Sequence, residues 1–167
     1  MLDADTFRKL FGTLPTPVAI VTALGEDGGP RGFTCNAFSA VSAEPPQLLV
    51  CVGKGSRTLP GLLASGVFAL NFVAHEGQEA ARLFAGKAAH KFDQVVWRGG
   101  LDGVPVLPEA AVAYAGCRLV RSVDMGDHLL VIGRVEESEL FPRTAVLYQQ
   151  GRFGVWEPGS RLAAQPR

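Results

Sequence analysis

Apolar positions along the chain change period several times, and these changes predict the elements. Phe7, Leu10 and Phe11 recur at helical spacing, so residues 3–14 predict a short helix, capped by Asp3 or Asp5 and closed at Gly12. Val18 to Leu24 is a run rich in β-branched residues and predicts a strand. The glycine-rich stretch 25–30 predicts a hairpin turn. Residues 32–44 then predict a return strand, hinged at Pro45-Pro46 to a nearly all-apolar strand over 47–52. Ser56 or Thr58 can cap a helix holding Leu59, Leu62 and Leu63 and ending at Gly66. Val67 to Val73 reads as a strand, residues 76–84 as a helix, and Val95 to Trp97 as a short strand. Residues 98–109, rich in Gly and Pro, predict a surface loop. Two long segments, 110–123 and 129–140, predict a hairpin across the turn 124–128, and 145–149 predicts a last strand. Six or seven strands with two or three short helices, and no regular βαβ alternation, point to an antiparallel barrel.

Composition narrows the function. The 167 residues are 47% hydrophobic and 19% charged, with zero formal net charge. They predict one domain over 1–160 and a patternless tail over 161–167. Zero net charge argues against a nucleic-acid binder. No run approaches the ~20 apolar residues of a membrane helix, and acidic Asp3 and Asp5 do not suit a signal peptide. Cys35, Cys51 and Cys117 are odd in number and widely spaced, which fits reduced thiols in a cytoplasmic protein. His75, His90 and His128 lack partners at ligand spacing, so no metal is expected.

Three features carry chemistry. Small polar groups from Thr34 to Ser42 beside an apolar strand form a wall for a flat ligand. The stretch Lys54-Gly55-Ser56-Arg57-Thr58 at a helix start can seat an anion, although an ordinary capped helix with solvated charges explains it too. Gly126-Asp127-His128 opens a strand after a tight turn, where Asp127 can orient the ring or raise its pKa, although a turn Asp and a strand-edge His explain it equally well.

In order and spacing, Pro17-Val18-Ala19-Ile20-Val21-Thr22, Gly32 to Ser42 with Pro45-Pro46, Ser56-Arg57-Thr58, Phe68-Ala69-Leu70-Asn71, Lys91-Phe92, Gly126-Asp127-His128 and Gly151-Arg152-Phe153 resemble one family. It is the short-chain flavin reductases with an FMN-binding split barrel, the reductase components of two-component flavin-dependent monooxygenases. The resemblance implies a mainly β fold, an antiparallel Greek-key split β-barrel with a few short peripheral helices. It also implies hydride transfer from NADH or NADPH to FMN or FAD, a homodimer and a transient monooxygenase partner. A non-catalytic flavin-binding or electron-carrier protein on the same barrel is the alternative. By the same resemblance Thr34, Cys35, Asn36, Ala37, Phe38 and Ser39 contact the ring and ribityl chain, with Cys51 and Val52 at the neighbouring strand end. Lys54, Ser56, Arg57 and Thr58 take the flavin phosphate, and Lys91 and Phe92 border the flavin. His128, supported by Asp127, lines the nicotinamide site together with Arg152 and Phe153.

Overall fold

The computed structural model describes residues 2–156, so the expected tail at 161–167 lies outside the described residues. In chain order the elements are α1 (Ala4–Gly12), β1 (Thr16–Pro17), β2 (Ala19–Leu24), β3 (Pro30–Cys35), β4 (Phe38–Ala43) and β5 (Pro46–Gly53). Next come α2 (Leu59–Ser65), β6 (Val67–Val73), α3 (Gln78–Ala85), β7 (Arg98–Gly99) and β8 (Pro105–Val106). The chain closes with β9 (Ala111–Met125), β10 (His128–Leu140), β11 (Val146–Gln149) and β12 (Arg152–Val155).

Seven strands form one antiparallel sheet in the order β3-β2-β6-β9-β10-β5-β4. Its two edge strands, β3 and β4, are consecutive in the chain and joined only by Asn36 and Ala37. No ladder pairs them, so the sheet is not closed into a ring and stays split between these two strands. Cys51 N–H donates to Ala37 O at 2.9 Å, which pins the link against β5. This is the expected mainly β split-barrel fold, with corrections to individual elements. The predicted return strand breaks in two, because β3 pairs with β2 whereas β4 pairs with β5.

Alternate residues fill the interior: Val21 from β2, Val50 and Val52 from β5, Phe68 and Leu70 from β6, and Val131 from β10. Strands β2 and β6 are buried on both faces, which is why they read as unbroken apolar runs. Outside β2, Ile20 packs with Ala81 and Phe84 of α3. α2 packs so closely on β2 that a Cβ at Gly61 would lie 2.1 Å from Leu24 O.

Residues 98–109 do not simply wind over the surface. Val104, Val106 and Tyr114 form a third apolar cluster against β6. Asn71 Nδ2 lies within hydrogen-bond distance of Ile20 O, Thr22 Oγ1 and Pro105 O, while its Oδ1 accepts from Leu107 N–H at 2.8 Å. This network fastens the segment to the barrel. The strand expected at 95–97 falls instead at Arg98–Gly99, and Trp97 turns edge-on to Phe92.

The N-terminal helix has its expected cap: Asp3 Oδ1 accepts from Asp5 and Thr6 N–H. Gly12 is its last residue and Thr13 the C-cap. Its apolar face lies open: Phe7 is 53% and Phe11 54% exposed.

Candidate functional site

The split edge of the barrel borders two hollows. The larger is a cleft of about 1520 Å³. Asn36 and Ala37 of the β3–β4 link, Phe38 of β4, Cys51 of β5, Asp127 of the β9–β10 turn and His128 at the start of β10 all line it. Strand register explains the meeting: His128 pairs with Gly53, two residues beyond Cys51. Gly53 has no side chain, and a Cβ there would sit 3.7 Å from His128 Nε2, so the imidazole lies against bare backbone. His128 Nδ1 is 2.8 Å from Asp127 Oδ1. This hydrogen bond and the charge of the ring hold the Asp127 carboxyl below its ordinary value. The pair thus fixes the ring's orientation and leaves Nε2 for a ligand.

The smaller hollow, about 390 Å³, is basic. It is lined by Arg31 and Gly32 of β3, Arg57 and Thr58 before α2, and Lys91 and Phe92. Arg57 donates to Lys87 O and Ala88 O, and Lys91 Nζ donates to Phe84 O at 2.9 Å. Neither cation is ion-paired among the described residues. Burial, and then the Arg57 charge, pull the Lys91 pKa below its ordinary value. Two like charges held together in a partly desolvated hollow are unfavourable unless an anion joins them.

The two hollows share a rail. Gly32 borders the basic hollow and Asn36 the cleft, and four residues of extended chain span about 13 Å. A flat ring carrying a phosphate on a short chain fits this layout, with the ring on Asn36–Phe38 and the phosphate between Arg57 and Lys91.

Other expected site residues fall elsewhere or spend their side chains on local bonds. Val52 is fully buried inside the barrel because alternation on β5 turns it inward, and only its backbone can face the edge. Lys54 pairs with Asp124 at 2.8 Å, and its N–H donates to Asp127 O at 3.0 Å, so it braces the β9–β10 turn rather than the basic hollow. Thr58 is the N-cap of α2 but its side chain makes no capping bond, and Ser56 Oγ accepts from Thr58 N–H at 3.3 Å. Thr34 Oγ1 donates to Ala81 O, and Ser39 Oγ to Ala40 O. Cys35 is buried beneath the link, its thiol pushed up to about 11 by burial. All three cysteines are free.

Arg152 and Phe153 line a third hollow of about 500 Å³, away from His128. Phe153 packs on Tyr148 at 5.3 Å and under Arg82 at 4.9 Å. The neighbouring turn, Gln150-Gly151, lines the cleft instead; both residues have positive φ, as a two-residue hairpin requires. Sequence reasoning also missed Phe7, Arg8 and Tyr148, which line the cleft. The signal for Phe7 was its place on one face of the first helix, which named no ligand.

Similar proteins identify the family. The model of the family described as "Flavin reductase like domain" matches residues 11–157. A flavin reductase (NADH) of Kitasatospora aureofaciens is 40% identical over 98% of this chain and 88% of its own length. A flavin reductase (NADPH) of Lentzea aerocolonigenes is 38% identical over 94% of this chain and 92% of its own. Among solved structures, the NADH:FAD oxidoreductase of Streptomyces globisporus C-1027, in complex with NAD and FAD fragments, superposes with a TM-score of 0.87 at 36% identity, over 95% of this chain and 96% of that one. A split barrel whose open edge joins a histidine-lined cleft to a basic hollow, matched over nearly its whole length, belongs to the flavin reductase like domain family.

Proposed function

We propose that this chain is an NAD(P)H-dependent flavin reductase that supplies reduced flavin, FMN or FAD, to a partner monooxygenase. The observation that carries the reading is the shared rail: one barrel edge links the cleft holding His128 to the hollow holding Arg57 and Lys91. Relatives named as reductase subunits of flavin-dependent monooxygenases, 34% identical in Rhodococcus jostii, support the partner.

A flavin held along this rail would supply the ring that takes up hydride from the nicotinamide. The chain's own residues bind and orient. Asn36 is held by its Nδ2 donating to Thr16 Oγ1 at 3.1 Å, which fixes the rim of the link. Arg57 and Lys91 anchor the phosphate and thereby set where along the rail the ring lies. His128, steadied by Asp127, positions the second ring; no strong acid or base is required. Thr34, Cys35, Ser39 and Val52 serve as backbone wall, and Ser56 and Thr58 order the turn that presents Arg57. Arg152 and Phe153 support the hairpin whose tip reaches the cleft.

The protein acts as a homodimer in this reading. Val41 on edge strand β4, with Val120 and Leu140 on the long β9–β10 hairpin, are exposed apolar groups that a second copy can cover. A cytoplasmic location fits three free thiols; no described helix is long and apolar enough to cross a membrane. Mixing purified protein with flavin and NADH or NADPH under nitrogen tests the activity. Bleaching of the flavin band with matched loss of nicotinamide absorbance is expected. Flavin binding without oxidation of either nicotinamide would establish the carrier alternative.

A further inference from the structure

Helix α1 is built unlike the rest of the molecule. It has nine residues and none is buried. Helices this short are marginal in water without packing, yet Asp3 caps this one and Phe7 stacks on Phe11 at 4.7 Å. It is tied down near its C-terminus, where Gln149 Nε2 donates to Thr13 O at 2.6 Å and Gln150 N–H to Gly12 O at 3.1 Å. Both anchors come from the β11–β12 hairpin, whose tip lines the same cleft.

The face that α1 gives to the cleft has a specific chemistry. Phe7 and Phe11 line it together with Arg8 and Lys9, and these two are the only Lys or Arg side chains on its lining among the described residues. Arg8 is paired only within the helix, with Asp5 at 2.7 Å and both exposed; such a pair is weak and exchanges readily for a phosphate. Arg8 also sits close enough to help lower the Asp127 pKa, behind the larger effects of His128. The flavin phosphate already has the basic hollow. At about 1520 Å³ the cleft exceeds the ~300–1000 Å³ usual for one small ligand. The ligand left to place has two rings and a diphosphate.

We infer that α1 is a lid that recognises the nicotinamide dinucleotide, Phe7 and Phe11 lying against its rings and Arg8 and Lys9 meeting its diphosphate. This rests on the reading of the cleft as the hydride-transfer site. The lid supplies apolar cover and charge from one short element hinged at Thr13, so the dinucleotide enters and leaves without disturbing the barrel.

Two double variants test it, Phe7→Ala/Phe11→Ala and Arg8→Ala/Lys9→Ala, with His128→Ala as reference. Because α1 buries nothing, both should fold and melt like wild type. At saturating flavin, the nicotinamide KM should rise about ten-fold in each, as for loss of one stacking or one charge-assisted contact, with the flavin KM unchanged. Calorimetric titration of oxidised dinucleotide into flavin-free protein should show the same weakening without turnover. The rise of KM with added salt should flatten in Arg8→Ala/Lys9→Ala. Unchanged nicotinamide binding in both lid variants, with a rise in His128→Ala, would overturn the lid and leave the site reading standing. No effect in any of the three would overturn the site reading itself. Conversion of either lid variant to a monomer by sedimentation would assign the face to a second copy and reject the inference.

Discussion

Lys91→Met separates binding from stability more cleanly than any other change at this site. Lys91 is only 9% exposed, lacks a carboxylate partner, and sits beside Arg57. Its Nζ donates to Phe84 O at 2.9 Å, near the C-terminus of α3, and lies 5.6 Å from the Phe84 ring. Losing that bond costs about 0.5–1.5 kcal/mol, while removing a repelled, partly desolvated cation offsets it. The net change should stay within about 1 kcal/mol, or roughly 2–4 °C in Tm for a chain of this size. The binding side has no such compensation. A lost charge-assisted contact to phosphate is worth about 1.5–3 kcal/mol, or roughly a ten- to hundred-fold weaker Kd. Titration followed by flavin fluorescence should show that loss for FMN and none for riboflavin, which has no phosphate. Equal weakening of riboflavin would refute the placement, as would a Tm drop of more than about 10 °C. The pH dependence has a defined sign. With the folded pKa below the ordinary 10.5, the unfolded chain binds more protons between those two values. Wild-type stability should therefore rise with pH across that alkaline window, relative to Lys91→Met.

Other expectations are narrower. His128→Ala should raise the nicotinamide KM about ten-fold or more and leave FMN affinity intact, and Asp127→Asn should do the same more weakly, since it acts only through the ring. In the folded protein at pH 8, Cys35 and Cys117, their thiols pushed up to about 11 and about 12 by burial, should resist iodoacetamide; the half-buried Cys51 should react slowly and be protected by FMN, as read by peptide mass spectrometry. Tyr114→Phe removes the acceptor of Leu101 N–H at 2.9 Å in a buried position. It should cost about 1–3 kcal/mol, lowering the denaturant midpoint without changing flavin affinity.

The barrel strands were legible because burial on both faces writes apolar runs at 18–24 and 67–73, and because the long β9–β10 hairpin alternates around a glycine turn. The break at Asn36-Ala37 was not legible. Neither residue is a breaker; the chain leaves one strand there only because two distant strands, β2 and β5, compete for it. The helical stripe of Phe7 and Phe11 was visible, but periodicity reports a face and not what covers it. Lys54 and Arg57 look alike in a basic stretch. Only tertiary contact shows that Asp124 neutralises the first and nothing described neutralises the second. Resemblance put Lys91 at the flavin border, but its burial and its bond to Phe84 O at the end of α3 are tertiary and leave no mark on the local sequence.

The most direct test is a crystal structure of the protein with FMN bound. It should place the ring against Asn36–Phe38 and Cys51, and the phosphate within hydrogen-bond distance of Arg57 and Lys91. A phosphate seated anywhere but the basic hollow, or a ring outside the His128 cleft, would contradict the shared rail.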